Sequence, residues 1–208
     1  MRKLFILYTA VLMTAVFAHG TVQAQADQAL VGKAAPTFDL KNIDGKNVSL
    51  KDVLHDNKGA IIVFTCNHCP YSVKYEDRII ALDEQFKAKG YPVIAINPND
   101  PLTYKEDNWQ NMKKRAKDKG FSFPYLVDET QEIAKAYAAT RTPHVYIVQK
   151  GADDQGIIRY VGAIDDNTEA ESVGVKYVED AISRLEASED VSPTYTKAVG
   201  CGIKWKQN

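Results

Sequence analysis

The chain has 208 residues, with 26 Lys and Arg against 27 Asp and Glu and a formal net charge of −1. That balance, without a basic run, argues against nucleic acid as a partner, and the length suits one domain with its own core. Three cysteines, two of them three residues apart, are too few and too unevenly spread for a disulfide-stapled scaffold.

At the start, Arg2 and Lys3 precede an apolar run from Leu4 to Ala18, and Ala24-Gln25-Ala26 closes a small polar stretch. This is the layout of a secretory signal peptide. The apolar run falls short of the about 20 residues that span a bilayer core. Residues 1–26 therefore read as a leader cleaved near Ala26, and the rest as a chain with no membrane span, in the periplasm or secreted. In such a compartment free thiols need a reason to stay reduced.

Asp44-Gly45 lies between two short alternating runs and predicts an N-terminal β-hairpin. Ala60 to Phe64 is a β-branched apolar run, as in a strand buried on both faces. Tyr75, Ile79, Leu82 and Phe86 mark one face of a helix that Gly90 ends, and Val93 to Ile96 is a second buried strand. Asn97 to Pro101 is a loop, Trp109, Met112 and Ala116 lie on a helix closing at Gly120, and Phe123 to Val127 is a strand. Asp128 with Gln131 predicts a capping box for a helix carrying Ile133, Ala134 and Tyr137. Strands at His144–Val148 and Ile157–Val161 and a helix through Val178, Ala181, Ile182 and Leu185 complete the order. Such an order calls for an α/β fold, a central mixed β-sheet with helices on both faces. Residues 27–187 read as one domain and 188–208 as a C-terminal tail packed on it.

Chemistry concentrates at Cys66-Asn67-His68-Cys69-Pro70, where a buried strand gives way to a helix. A thiol in the first helical turn meets unpaired N–H groups and the positive end of the dipole, which favour thiolate. Cys66 is expected to be the more exposed nucleophile, with Cys69 one turn on to resolve a mixed disulfide. Pro70 has no N–H to lose there, and His68 can add positive charge beside the pair. A zinc site would need a second ligand pair at similar spacing, which Cys201, His55, His68 and His144 do not supply. No cofactor or metal is expected.

Phe64 to Pro70 resembles the active-site segment of thioredoxin-like redoxins, the class grouped with alkyl hydroperoxide reductase and thiol-specific antioxidant proteins. The resemblance runs on through Ala35-Pro36-Thr37-Phe38, Ile96 to Asp100, Tyr125 to Thr130, Thr142-Pro143 and Gly200-Cys201-Gly202-Ile203-Lys204-Trp205. It implies a thioredoxin-like fold and a thiol–disulfide oxidoreductase exchanging disulfides with protein thiols. It further implies that Pro143 is cis, that it packs against the dithiol, and that Thr142 offers backbone groups to an extended substrate peptide. On that scheme a Cys69→Ala chain holds its partners on Cys66. Thr65 stands where thioredoxin-type reductants carry Trp, Asn67-His68 replace Gly-Pro, and Ala60 to Phe64 lacks the buried acid of thioredoxin. A histidine just before the second cysteine resembles instead the disulfide oxidases and isomerases.

Two other readings compete. Peroxiredoxins resemble the chain in fold and use a P-x-x-x-T-x-x-C site, but Gly59 and Val63 occupy the Pro and Thr positions, and Arg141 alone fits. Copper chaperones on this fold pair two cysteines with a distant histidine, for which His144 is the candidate, although they space the cysteines one residue wider. Cys201 rests as a buried thiol in a tail packed through Ile203 and Trp205, pairs with another chain, or acts as a third redox thiol.

Overall fold

The computed structural model describes residues 25–207. Nearly all of the expected leader, residues 1–24, lies outside them. No helix among the described residues is long and apolar enough to cross a membrane.

A helical stretch over residues 25–30 (α1) leads into the hairpin β1 (Asp39–Asn42) and β2 (Asn47–Ser49), paired antiparallel with Leu40 opposite Val48. Gly45 turns it at φ 89°, a conformation that glycine adopts without steric cost. Next comes α2 (Leu50–Asp56), capped where Asp52 N–H donates to Ser49 Oγ at 3.1 Å. β3 (Gly59–Phe64) runs to the dithiol, and α3 (Pro70–Phe86) leaves it. β4 (Val93–Asn97), α4 (Trp109–Lys119) and β5 (Tyr125–Val127) follow. The second half holds α5 (Glu132–Ala136), β6 (Arg141–Thr142), β7 (His144–Lys150), β8 (Gly156–Gly162), α6 (Tyr177–Glu186) and β9 (Cys201–Gly202).

Seven strands form one mixed sheet in the order β2-β1-β5-β4-β3-β7-β8. β3, β4 and β5 are parallel, whereas β7 runs antiparallel to β3 with His144 opposite Phe64. Alternation along β3 divides the core. Ile61 and Val63 face α3, α4 and α6 through Tyr75, Ile79, Met112 and Ile182, while Ala60, Ile62 and Phe64 face α2 and α5 through Leu54 and Ala134. Helices cover both faces, as the continuous apolar run of β3 requires. The architecture is thioredoxin-like.

The structure departs from the sequence reading at its small elements. α2, β6 and β9 are too short to leave a periodic signal. α3 ends at Phe86, and a 3₁₀ turn over Lys87–Lys89 carries the chain to Gly90 at φ 90°. The capping box does not form. Gln131 enters α5 at φ 62° without a side-chain cap; Asp128 Oδ2 accepts from Ala134 N–H at 2.8 Å instead. The Gln131 amide is used elsewhere, donating to the Pro98 and Lys204 carbonyls at 2.7 and 2.9 Å. After α6 the chain returns along β8, where Val161 N–H donates to Thr194 C=O and Thr196 N–H to Val161 C=O.

His144 is fully buried, with Nδ1 3.3 Å from the Tyr146 hydroxyl and Nε2 4.0 Å from Asp27 Oδ2. Burial first, and then the Arg141 charge, holds its imidazole down at about 3. The unfolded chain, near 6.5, takes up this proton first, so stability is lost as pH falls from about 6.5 toward 3. Between pH 7 and 4.5 the loss from this group is about 2–3 kcal/mol. Urea titrations should show it, and His144→Leu should flatten that part of the profile.

Candidate active site

β3 stops at Phe64, although Thr65 N–H still donates to Ile96 C=O at 2.9 Å. The backbone then bends through Asn67 and His68 and enters α3 at Pro70, the first helical residue, with Cys69 as its N-cap. Cys66 therefore stands ahead of the helix rather than in its first turn. Both thiols are buried, Cys66 2% and Cys69 0% exposed, so the expected open nucleophile is not found. All three cysteines are free thiols, and Cys201 alone is partly exposed.

Thr142 organises the sulfurs. Its Oγ1 lies 3.3 Å from Cys66 Sγ, and its carbonyl accepts from Cys69 S–H at 3.2 Å. The Thr142–Pro143 peptide bond is cis. In the β6–β9 ladder Thr142 pairs with Cys201 and Arg141 with Gly202. Ser72 Oγ adds a longer contact to Cys66 at 3.8 Å.

Hydrogen bonding between the two thiols lowers one and raises the other. That bond, then burial and the Asp107 carboxylate, push Cys66 far up. The same bond brings Cys69 down to about 4 against the opposing effect of burial, with further help from Cys201 S–H and the Ser72 and Cys201 N–H groups. Cys69 is lowered and Cys66 raised, the Asp107 carboxylate opposing charge on Cys66, while as a thiol Cys69 donates to the Thr142 carbonyl. Burial, and then the bond to Cys69, push Cys201 up to about 11.

Asp107 is the residue that the sequence did not disclose. Its side chain is fully buried and takes three donors: Asn67 N–H at 2.7 Å, His68 Nδ1–H at 2.5 Å and Asn99 Nδ2–H at 2.8 Å. The acid missing from β3 thus arrives from the turn before α4. In the sequence Asp107 looks like any acid ahead of a helix, and only the fold brings it beside Cys66. Asn67, a supporting residue on sequence grounds, donates from Nδ2 to Glu106 C=O and accepts from the Tyr125 hydroxyl. His68 stacks on Tyr104 at 3.9 Å and is bound to Asp107, which fixes its ring.

Cys66, His68 and Asp107 offer sulfur, nitrogen and oxygen atoms within 4.8 Å of one another. The His68 and Asp107 atoms are engaged with each other. His144 belongs to no such group among the described residues, so the copper arrangement of two cysteines with His144 is not assembled. Arg141 is exposed and reaches the Gly200 carbonyl at 3.5 Å, while Val63 lies wholly in the core.

Residues 31–161 match the AhpC/TSA family, and the chain belongs to that family. It is 31% identical over 129 residues to the Helicobacter pylori protein provisionally named peroxiredoxin bcp, covering 62% of this chain and 76% of that one. It is 24% identical over 131 residues to the thiol-disulfide oxidoreductase ResA of Geobacillus thermodenitrificans, covering 62% and 68%. Among solved structures, an uncharacterized conserved protein from Geobacillus kaustophilus superposes with a TM-score of 0.78 at 38% identity, covering 86% of this chain and 93% of that one.

Proposed function

We propose that this protein is a thiol–disulfide oxidoreductase whose Cys66–Cys69 pair cycles between dithiol and disulfide in exchange with protein thiols. The observation that carries the reading is the pair itself. Two thiols three residues apart stand between the central strand and α3, and both touch Thr142. In exchange, a thiolate attacks a disulfide sulfur and a mixed disulfide is resolved by the second thiol. Cys69 supplies the thiolate, Cys66 the second thiol, and His68 with Asn67 anchors the bend that holds them to Asp107. The electrons reside in the sulfurs, so no cofactor is required. The resemblance to ResA supports this reading.

The peroxidase alternative draws on the bcp relative and on family membership. It receives less support from the site, where Val63 replaces the activating hydroxyl, Arg141 turns to the tail, and Cys66 is pushed up rather than down. An exported location, periplasmic or secreted, is part of the proposal and rests on the layout of residues 1–26 alone.

Glutathione equilibration at a series of pH values tests the reading, with Cys201→Ser as a control. Between about pH 5 and 8 the reduced pair holds one proton, so reduction takes up one proton per two electrons. The potential should then fall by about 30 mV per pH unit, where two ordinary thiols would give about 59 mV. No reversible Cys66–Cys69 disulfide at any pH sinks the reading.

A further inference from the structure

The tail does not merely rest on the domain. β9 pairs antiparallel with β6 in a two-stranded sheet of their own, the backbone pairing by which an extended peptide docks on a strand. Gly200 makes the approach possible, since a Cβ there would stand 2.3 Å from the Thr142 carbonyl oxygen. Ile203 N–H donates to Thr140 C=O at 3.2 Å, and its side chain is buried in the core. Lys204 is tied twice to the loop beside the site: its N–H donates to Asn99 Oδ1, and its carbonyl accepts from Asp100 N–H, both at 2.9 Å. The register sets Cys201 opposite Thr142, whose carbonyl touches Cys69. Cys69 and the Tyr71 N–H, at the start of α3, lie close enough to Cys201 to act on its ionisation. A buried pair with a partly exposed third thiol against it is the geometry of a relay.

We propose that Cys201 is the thiol that meets the partner, and that the tail delivers disulfides between the surface and the buried Cys66–Cys69 pair. The inference rests on the exchange function above and names its entry point. In the reducing direction Cys201 passes its proton to the Cys69 thiolate and attacks the partner disulfide. One partner sulfur joins Cys201 and the other leaves as thiolate. That thiolate takes the Cys69 proton, and Cys69 attacks the Cys201 sulfur, forming a Cys69–Cys201 disulfide and releasing the second partner sulfur. Cys66 then attacks Cys69, forming Cys66–Cys69; Cys201 leaves as thiolate and takes the Cys66 proton. Two electrons and one proton pass from the buried pair to the partner, whose second sulfur leaves as thiolate and takes its proton from solvent, and every step reverses.

The experiment treats full-length Cys69→Ala and Cys66→Ser chains with oxidised glutathione and maps the linkages by peptide mass spectrometry without reduction. The glutathione adduct of Cys69→Ala is expected on Cys201, and Cys66→Ser is expected to form an internal Cys69–Cys201 disulfide. An adduct on Cys66 with Cys201 free overturns the relay. If the wild-type chain still forms its Cys66–Cys69 disulfide, that result leaves the exchange function standing. Absence of any disulfide in wild type removes both. Should either variant fail to fold, alkylation of the reduced wild-type protein by iodoacetamide decides. Cys201 should react at least about tenfold faster than Cys66, and equal or reversed rates overturn the relay.

Discussion

With Cys66 replaced by alanine, Cys69 should lose its hold on negative charge, its ionisation rising from about 4 toward the ordinary thiol range of about 8.5. The Cys66 S–H bond is the largest of the effects that favour the Cys69 thiolate, and burial, which opposes charge, survives the substitution. Cys201 S–H and the Ser72 N–H remain, so the return is incomplete, with a midpoint at or above about 7. Thiolate absorbance in the ultraviolet, followed against pH, measures it directly. Wild type should carry one thiolate at pH 6, and the Cys66→Ala chain almost none. A midpoint that stays near 4 would assign the charge to the helix N-terminus and the backbone donors. The converse variant is informative too: Cys69→Ala removes the largest cause of the Cys66 rise, so Cys66 should ionise more easily there than in wild type.

The sheet and the dithiol were legible because each leaves a local pattern. β3 and β4 show as unbroken apolar runs, α3 as Tyr75, Ile79, Leu82 and Phe86 at helical spacing, and the hairpin as Asp44-Gly45. Cys66 and Cys69 show as a spaced pair at a strand-to-helix junction. What stayed hidden depends on contacts between residues far apart in the chain. Asp107 reaches Asn67 and His68 across about forty positions, and no rule of composition or period selects it from the other acids. Gln131 has the spacing of a capping box, yet its amide holds the tail because Lys204 and Pro98 converge there. Exposure is hidden for the same reason. Order along the chain places Cys66 ahead of Cys69, but burial is set by the loop bearing Asp107 and Tyr104 and by the sheet edge at Thr142. Cys201 is an isolated residue in the sequence and comes to lie opposite Thr142, beside Cys69, only through the β6–β9 ladder.

Asp107→Asn carries the second large effect. Asp107 accepts from three groups that are all donors in the folded state: a backbone N–H, an imidazole N–H and an amide N–H. An asparagine offers one oxygen and, in place of the other, an amide N–H₂ that faces donors. Leaving one or two buried donors unmatched costs about 1–3 kcal/mol each, so the variant should be less stable by about 3 kcal/mol in urea unfolding. His68 can relieve part of this by moving its proton to the other ring nitrogen, whereas the Asn67 backbone N–H has no such choice. The chemistry should change in a way that packing loss alone does not explain. The carboxylate is one of the causes that raise Cys66, so its removal lets the pair release its second proton at lower pH. At alkaline pH the potential of the pair should therefore stop falling earlier in Asp107→Asn than in wild type. A variant destabilised by about 3 kcal/mol with an unchanged potential profile would make Asp107 a structural anchor of the bend and no more. A shifted profile makes it a positioning residue that biases the charge toward Cys69.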